Sequence, residues 1–200
     1  GSRPERTANI RLAAEAMDGA VIAPGEVLSF NQIVGKRSTD RGYQSAPVIL
    51  HETRQLQTGG GVCQVASTVF AAGLLSGLTV QERWRHSSPV DYIALGEDAT
   101  IAWGAKDLKL RNDLDQRIRL RVRVTGSTLS ARFECESSGV PTYELVTDER
   151  ELPPDPGVDD ARPGREIELY RVRRDARGGT SREFVHRDLY PPSRGRREEP

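Results

Sequence analysis

The stretch Gly59-Gly60-Gly61-Val62-Cys63-Gln64-Val65-Ala66-Ser67-Thr68 sets the reading of the whole chain. Three consecutive glycines give a backbone without Cβ atoms, free to take positive φ and to admit a ligand closely. From Cys63 to Ser76 the sequence is apolar almost all round, with Val65, Val69, Phe70, Leu74 and Leu75, and Gly77 stands where a helix-ending glycine belongs. This pattern predicts a buried helix with Cys63 in its first turn. There the helix dipole and the unpaired N–H groups favour a thiolate. The same N–H groups, with the glycine turn, suit an anion or a developing oxyanion. The competing reading of Cys63 is a small residue packed after a flexible turn.

Beyond Gly77 the period becomes two. Val80, Glu82, Trp84 and His86 alternate with Gln81, Arg83 and Arg85, which predicts a strand with Trp84 and His86 facing the helix and the charged face in water. His86 then follows Cys63 by one helix and one turn. It reads either as a base for the thiol or as a satisfied cleft residue. After Gly96, Asp98 opens a further strand-like segment to Trp103. Its carboxylate either orients the ring nitrogen of His86 that faces away from the thiol, or caps its own turn.

Leu108 to Leu110 forms a short strand between Asp107 and Asn112. Ile118, Leu120, Val122 and Val124 alternate with Arg117, Arg119, Arg121 and Arg123, and after Thr125-Gly126-Ser127-Thr128 the pattern returns in Leu129, Ala131, Phe133 and Cys135. This is a hairpin with one wet face. Upstream, Thr7 to Met17 has helical spacing and ends at Gly19, Pro24-Gly25 marks a turn, and Val27–Phe30 and Ala46–Leu50 read as short strands. The expected fold class is α+β, with an N-terminal helix and the cysteine-bearing helix packed on a mostly antiparallel sheet.

The 200 residues carry 29 basic and 29 acidic side chains, so the formal charge is zero and no electrostatic case for nucleic acid arises. The arginine row is then a solvated face. No run is long enough to span a bilayer. Cys63 and Cys135 are too few for a metal set or a disulfide framework; they read as one bridge, or as one reactive and one packing thiol. No metal or cofactor is expected. Gly1-Ser2 resembles a vector-derived scar, so an export segment or membrane anchor is expected upstream.

From Ser137 the composition shifts. Pro153-Pro154-Asp155-Pro156-Gly157 and Arg162-Pro163-Gly164 are turn-rich, and the strand-like runs Glu166–Arg173 and Ser181–Asp188 meet at Gly178-Gly179. This segment holds too few apolar residues for its own core. The expected organisation is a main domain over 3–140, a small β appendage over 141–192 and a charged, disordered tail over 193–200.

Many of these residues recur together in one known family. Asn9-Ile10 with Leu12-Ala13-Ala14, Pro24-Gly25-Glu26 with Ser29-Phe30-Asn31, Gly42-Tyr43 with Ala46-Pro47-Val48-Ile49, and Gly59-Gly60-Gly61-Val62-Cys63-Gln64-Val65 with Ser67-Thr68 closely resemble the VanW domain. So do Glu82-Arg83, His86-Ser87, Tyr92, Gly96, Asp98-Ala99-Thr100, Asp107-Leu108-Lys109 and Asn112. Ala66 and Phe70 depart from the commoner hydroxyl residue and tyrosine. Residues from about Leu145 to Pro192 are weakly similar to a G5-like β module.

The resemblance implies an exported cell-envelope protein acting on peptidoglycan stem peptides. Some members are implicated as cysteine L,D-transpeptidases, which form 3-3 cross-links. It implies Cys63 as nucleophile, His86 as base and acid and Asp98 as its orienting partner. Gly59, Gly60 and Gly61 belong to the oxyanion turn, with Gln64, Arg83 and Tyr92 near the substrate. The order Cys, His, Asp also resembles papain-like and transglutaminase-like sites. Two alternatives stand beside it: a thiol peptidase of the same stems, and a non-catalytic peptidoglycan-binding module with a structural Cys63.

Overall fold

The computed structural model of the protein describes residues 3–50, 53–136, 143–154, 156, 161–174 and 179–194. Helix α1 (Pro4–Met17) starts on a proline at its first position and buries Asn9, Ile10, Ala13, Ala14 and Met17. Strands β1 (Val21–Ile22) and β2 (Val27–Ser29) follow, then a five-residue helix α2 (Phe30–Val34). The alternation Val27 to Phe30 predicts one strand. The structure ends that strand at Ser29, whose hydroxyl accepts the Gln32 N–H and turns the chain into α2. Strand β3 (Ser45–Leu50) pairs with β4 (Thr53–Thr58), a polar strand with no apolar pattern to announce it.

Helix α3 (Val62–Leu75) is the predicted buried helix. Gly77 takes φ +80° and the Leu78 N–H donates back to the Gly73 carbonyl at 2.9 Å, the closing bond of a left-handed glycine cap. Strand β5 (Thr79–Glu82) comes next, then a long irregular segment, then β6 (Lys109–Arg111). The hairpin of β7 (Ile118–Thr125) and β8 (Thr128–Cys135) is in the expected register, with Leu120 opposite Phe133 and Thr125 opposite Thr128.

Three expectations are corrected here. The strand of 80–86 stops at Glu82. The segment of 98–103 is not a strand; its backbone is satisfied piecemeal, with the Thr100 N–H on the Trp84 carbonyl. Trp84 points outward and is 46% exposed, lying under the Lys106 ammonium.

Every ladder among the described residues is antiparallel, so the fold is α+β. The sheets order as β1-β7-β8 and β2-β6-β5, and one apolar cluster joins them to α1 and α3 through Phe30, Phe70, Leu74, Leu108, Leu110 and Leu120. Strand β9 (Tyr143–Leu152), the two-residue β10 (Ala161–Arg162), β11 (Gly164–Arg174), β12 (Thr180–Tyr190) and β13 (Ser193–Arg194) complete the chain. In the sheet β12-β11-β9, Leu169 enters the main apolar cluster and Arg171 Nη1 donates to the Leu78 carbonyl at 2.9 Å. Ser193 and Arg194 pair with β10, so the expected disordered tail does not begin at 193. The expected turns at Asp155, Gly157 and Gly178, the composition shift at Ser137–Pro141 and the tail from 195 to 200 lie outside the described residues.

Candidate active site

The glycine turn is built to tolerances that only glycine meets. Gly61 is the N-cap of α3 at φ +102° and Gly59 takes φ +85°. A Cβ on Gly60 would sit 2.6 Å from the Ala46 carbonyl oxygen, a backbone atom that cannot move aside. Asn9 holds this turn from α1: its Nδ2 donates to the Gln44 and Gly60 carbonyls at 2.9 and 3.0 Å, and its Oδ1 accepts the Gln44 N–H at 2.8 Å. Cys63 therefore enters at the second position of α3, half-buried, with its sulfur 3.6 Å from Thr100 Oγ1 and 3.9 Å from the Ile101 carbonyl oxygen.

Ser67, one turn on, ties the helix to the segment that carries Asp98. Its hydroxyl donates to the Cys63 carbonyl at 2.9 Å and accepts the Ala99 N–H at 2.9 Å. Asp98 is 2% exposed and accepts four hydrogen bonds. Oδ2 takes the His86 N–H at 2.7 Å and faces His86 Nδ1 at 2.5 Å. Oδ1 takes Arg83 Nη2 at 2.9 Å and the Tyr190 hydroxyl at 3.1 Å. A carboxylate so placed fixes the Nδ1–H tautomer of His86 and leaves Nε2 for the other side of the ring. That side holds the Tyr92 hydroxyl, 3.4 Å from Nε2, and the Cys63 thiol, which shares a hydrogen bond and a charge interaction with His86.

The electrostatics follow from this line. Burial alone pushes the Cys63 thiol up, but the hydrogen bond and charge of His86, with the Ile101 backbone and Thr100, bring it below its ordinary value. Burial alone pulls His86 down, but the Asp98 and Cys63 hydrogen bonds and charges outweigh it and raise it to about 9. Burial likewise opposes the charge on Asp98, and the bonds from His86 and the Arg83 cation keep it below the usual carboxylate range. Tyr92 is raised, first by burial and then by the Cys63 charge, so it stays a neutral phenol. Each group thus favours the charged form of the other, which tilts the pair toward thiolate and imidazolium relative to the free side chains.

Of the predicted site residues, the structure brings together Cys63, His86, Asp98, Tyr92 and the three glycines. Gln64 is there as a braced residue: Arg6 Nη1 donates to its Oε1 at 3.1 Å, so the NH₂ side of the amide remains the donor. Arg83 is corrected. It is not on a wet face: its side chain is 6% exposed, its Nε donates to the Asp98 carbonyl at 2.7 Å and its Nη1 to Asp188 at 2.6 Å. His86 is reached through an irregular segment rather than a strand face.

Sequence reasoning missed Arg6, Arg37, Ser67 and Tyr190. Arg6 lies 5.9 Å from the Tyr92 ring centre. Arg37 packs against Gly59, and its guanidinium, lowered by burial, feels the Cys63 charge. Ser67 and Arg6 sit one turn from Cys63 and beside the recognised Asn9; nothing in sequence marks Tyr190 or Arg37.

A thiol at a helix N-terminus, an imidazole and a buried carboxylate in line on an α+β frame define a thiol–imidazole–carboxylate domain. Residues 5–134 match the family described as VanW like protein, and the chain belongs to that family. The chain is similar to "Uncharacterized protein YoaR" of Bacillus subtilis (strain 168), 41% identical over 128 residues, which are 64% of this chain and 42% of that protein. It is also similar to "Vancomycin B-type resistance protein VanW" of Enterococcus faecalis (strain ATCC 700802 / V583), 35% identical over 143 residues, 69% of this chain and 52% of the relative. The chain thus spans about half the length of these curated relatives. No solved structure matches it significantly.

Proposed function

We propose that this protein is a cell-envelope acyl-transferase of the cysteine L,D-transpeptidase type, acting on peptidoglycan stem peptides through a Cys63 thioester. The observation that carries the reading is the line Cys63–His86–Asp98, with the thiol lowered and the imidazole raised toward an ion pair. The vancomycin-resistance name of one relative supports a substrate of the cell-wall class.

The Cys63 thiolate attacks the carbonyl of the donor bond between the third stem residue and its terminal D-Ala. The Val62 and Gln64 N–H groups are engaged by the Gly59 and Gly61 carbonyls, so the oxyanion draws on the Cys63 N–H and the Gln64 amide. In comparable sites one such donor is worth about 3 kcal/mol. The tetrahedral species collapses, the C–N bond breaks, and His86 Nε2–H gives its proton to the leaving D-Ala amine. Neutral His86 then takes a proton from the acceptor side-chain amine as it attacks the thioester, and thiolate leaves. Asp98 holds the ring in one orientation throughout. Water in place of the amine gives the peptidase outcome from the same intermediate.

Intact-protein mass spectrometry after mixing with a donor tetrapeptide stem tests the reading. It expects an adduct equal to the tripeptide acyl group on the wild type and none on Cys63→Ala. Absence of the adduct together with free D-Ala release by Cys63→Ala counts against it.

A further inference from the structure

The sheet that follows the family-matched segment reaches the carboxylate of the site with two polar side chains. Tyr190, at the end of β12, is 4% exposed and donates its hydroxyl to Asp98 Oδ1 at 3.1 Å. Two residues earlier, Asp188 is 5% exposed and accepts Arg83 Nη1 at 2.6 Å, while the same guanidinium donates through Nη2 to Asp98. Arg83 is thus shared between two carboxylates, one from each part of the chain. Further contacts press the same place. Arg85 lies 5.0 Å from the Tyr190 ring centre, Arg83 5.4 Å from that of Phe70, and the Phe70 and His186 rings are 6.0 Å apart. A Cβ on Gly96, two residues before Asp98, would meet Ile167 Cγ2 at 3.2 Å and Leu169 Cβ at 3.6 Å. The family match ends at residue 134, before any of Ile167, Leu169, Asp188 or Tyr190.

We propose that the C-terminal sheet is part of the active site, with Asp188 and Tyr190 as positioning residues that set how Asp98 holds His86. Neither touches substrate; both act through Asp98, Asp188 by way of Arg83. This rests on the thiol–imidazole reading of the site given above.

The two carboxylates compete for shared donors. Asp98 Oδ1 is fixed by Arg83 and Tyr190, which leaves Oδ2 turned to both His86 groups. Asp188 draws part of the Arg83 charge away from Asp98. Removing its charge lets Arg83 neutralise Asp98 more fully, and His86 loses negative charge through space as well; both effects make the imidazolium less stable. The titratable and charged groups around His86 are Cys63 from α3, Arg85 on the His86 carbonyl at 2.6 Å, Tyr92 with Arg6 behind it, Asp98 with Arg83, and His186, Asp188 and Tyr190 from β12. His186 Nε2 lies 3.5 Å from Asp188 Oδ2.

The test is the pH dependence of Cys63 alkylation by iodoacetamide, read by mass, on the full chain. For wild type we expect an acid limb below the ordinary thiol range. Asp188→Asn moves that limb up by roughly one pH unit, and Asp188→Glu returns it most of the way. Tyr190→Phe removes one oxygen from a ring that stays packed on Arg85, so the fold survives and the same question can be put to it. Its expected mark is an upfield shift of the His86 Nδ1–H proton resonance as Asp98 loosens. An acid limb and a proton resonance unmoved in both folded variants overturn the proposal, whereas an ordinary acid limb in the wild type overturns the thiol–imidazole reading instead.

Discussion

Replacing Asp98 by Asn is the most informative single perturbation, because it keeps the shape and removes the charge. The four donors around Asp98 all need an acceptor, and an amide offers only one oxygen. If the amide nitrogen takes the Oδ2 place, it faces the His86 N–H and Nδ1, and the ring must move its proton to Nε2. That nitrogen then no longer accepts from the thiol. Losing the whole rise of His86, from about 9 back to the ordinary 6.5, is worth about 3 kcal/mol. Cys63 shares in that rise; an opposite charge at hydrogen-bond distance moves a pKa by about 1–3 units, so losing the Asp98 charge should lower the thiolate population on the order of tenfold. Arg83 keeps Asp188, so the stability loss is smaller than the usual 3–5 kcal/mol for breaking a buried pair, about 2 kcal/mol. The assays are iodoacetamide modification below the acid limb and urea unfolding. An Asp98→Asn protein alkylated within twofold of wild type, with an unchanged midpoint, would refute the reasoning.

Stability against pH carries the same signature. His86 titrates above its ordinary value, so its contribution is full below about pH 6.5 and is lost as the pH rises through about 9; Asp98 titrates low, so its contribution is lost only in strong acid. Cys63 titrates low and gains its contribution over the same rise in pH, so urea midpoints should be nearly level from about pH 6.5 to 9 and fall in acid, and the acid-side fall should shrink in His86→Ala. In that variant the alkylation limb of Cys63 should also move above the ordinary thiol value, because only burial is left as the dominant influence. Ser67→Ala leaves the buried Ala99 N–H without its acceptor and should cost about 1–3 kcal/mol in urea unfolding, with a slower Cys63 reaction because the Asp98 segment is released from α3. Gly60→Ala should cost at least as much, since its Cβ meets the Ala46 carbonyl; a midpoint equal to wild type would mean that the turn is looser than described.

Helix α3, the β7–β8 hairpin and the meeting of Cys63 with His86 and Asp98 are legible in sequence, because each rests on local chemistry: an apolar run closed by Gly77, a strict alternation, a thiol after a glycine turn. The misreadings share one cause. Arg83 alternates onto what looks like a wet face, and it is buried because Asp98 and, 105 residues away, Asp188 both pair with it. Trp84 alternates inward yet lies outside under Lys106, because the strand ends at Glu82. The segment after Gly96 has strand-like composition, but Ser67, Arg83 and Trp84 satisfy its backbone in place of a ladder. Helix α2 carries a visible mark, Ser29 with Gln32 three residues later, which the apolar run Val27-Leu28 outweighs in a periodicity reading. Tyr190 is invisible for the same reason as Arg83: its partner is long-range and ionic.

The most direct measurement is incubation of the protein, and of Cys63→Ala, with disaccharide tetrapeptide muropeptides, followed by mass spectrometry. A cross-linked dimer lighter by one D-Ala and one stem-joining condensation is not expected; acyl transfer replaces D-Ala by the acceptor amine, so the dimer equals two monomers less one free D-Ala. The account predicts that product from wild type only. Tripeptide and D-Ala without dimer assigns the same thioester to hydrolysis. Unchanged muropeptides from wild type, bound equally by Cys63→Ala, contradict the account and leave a binding domain.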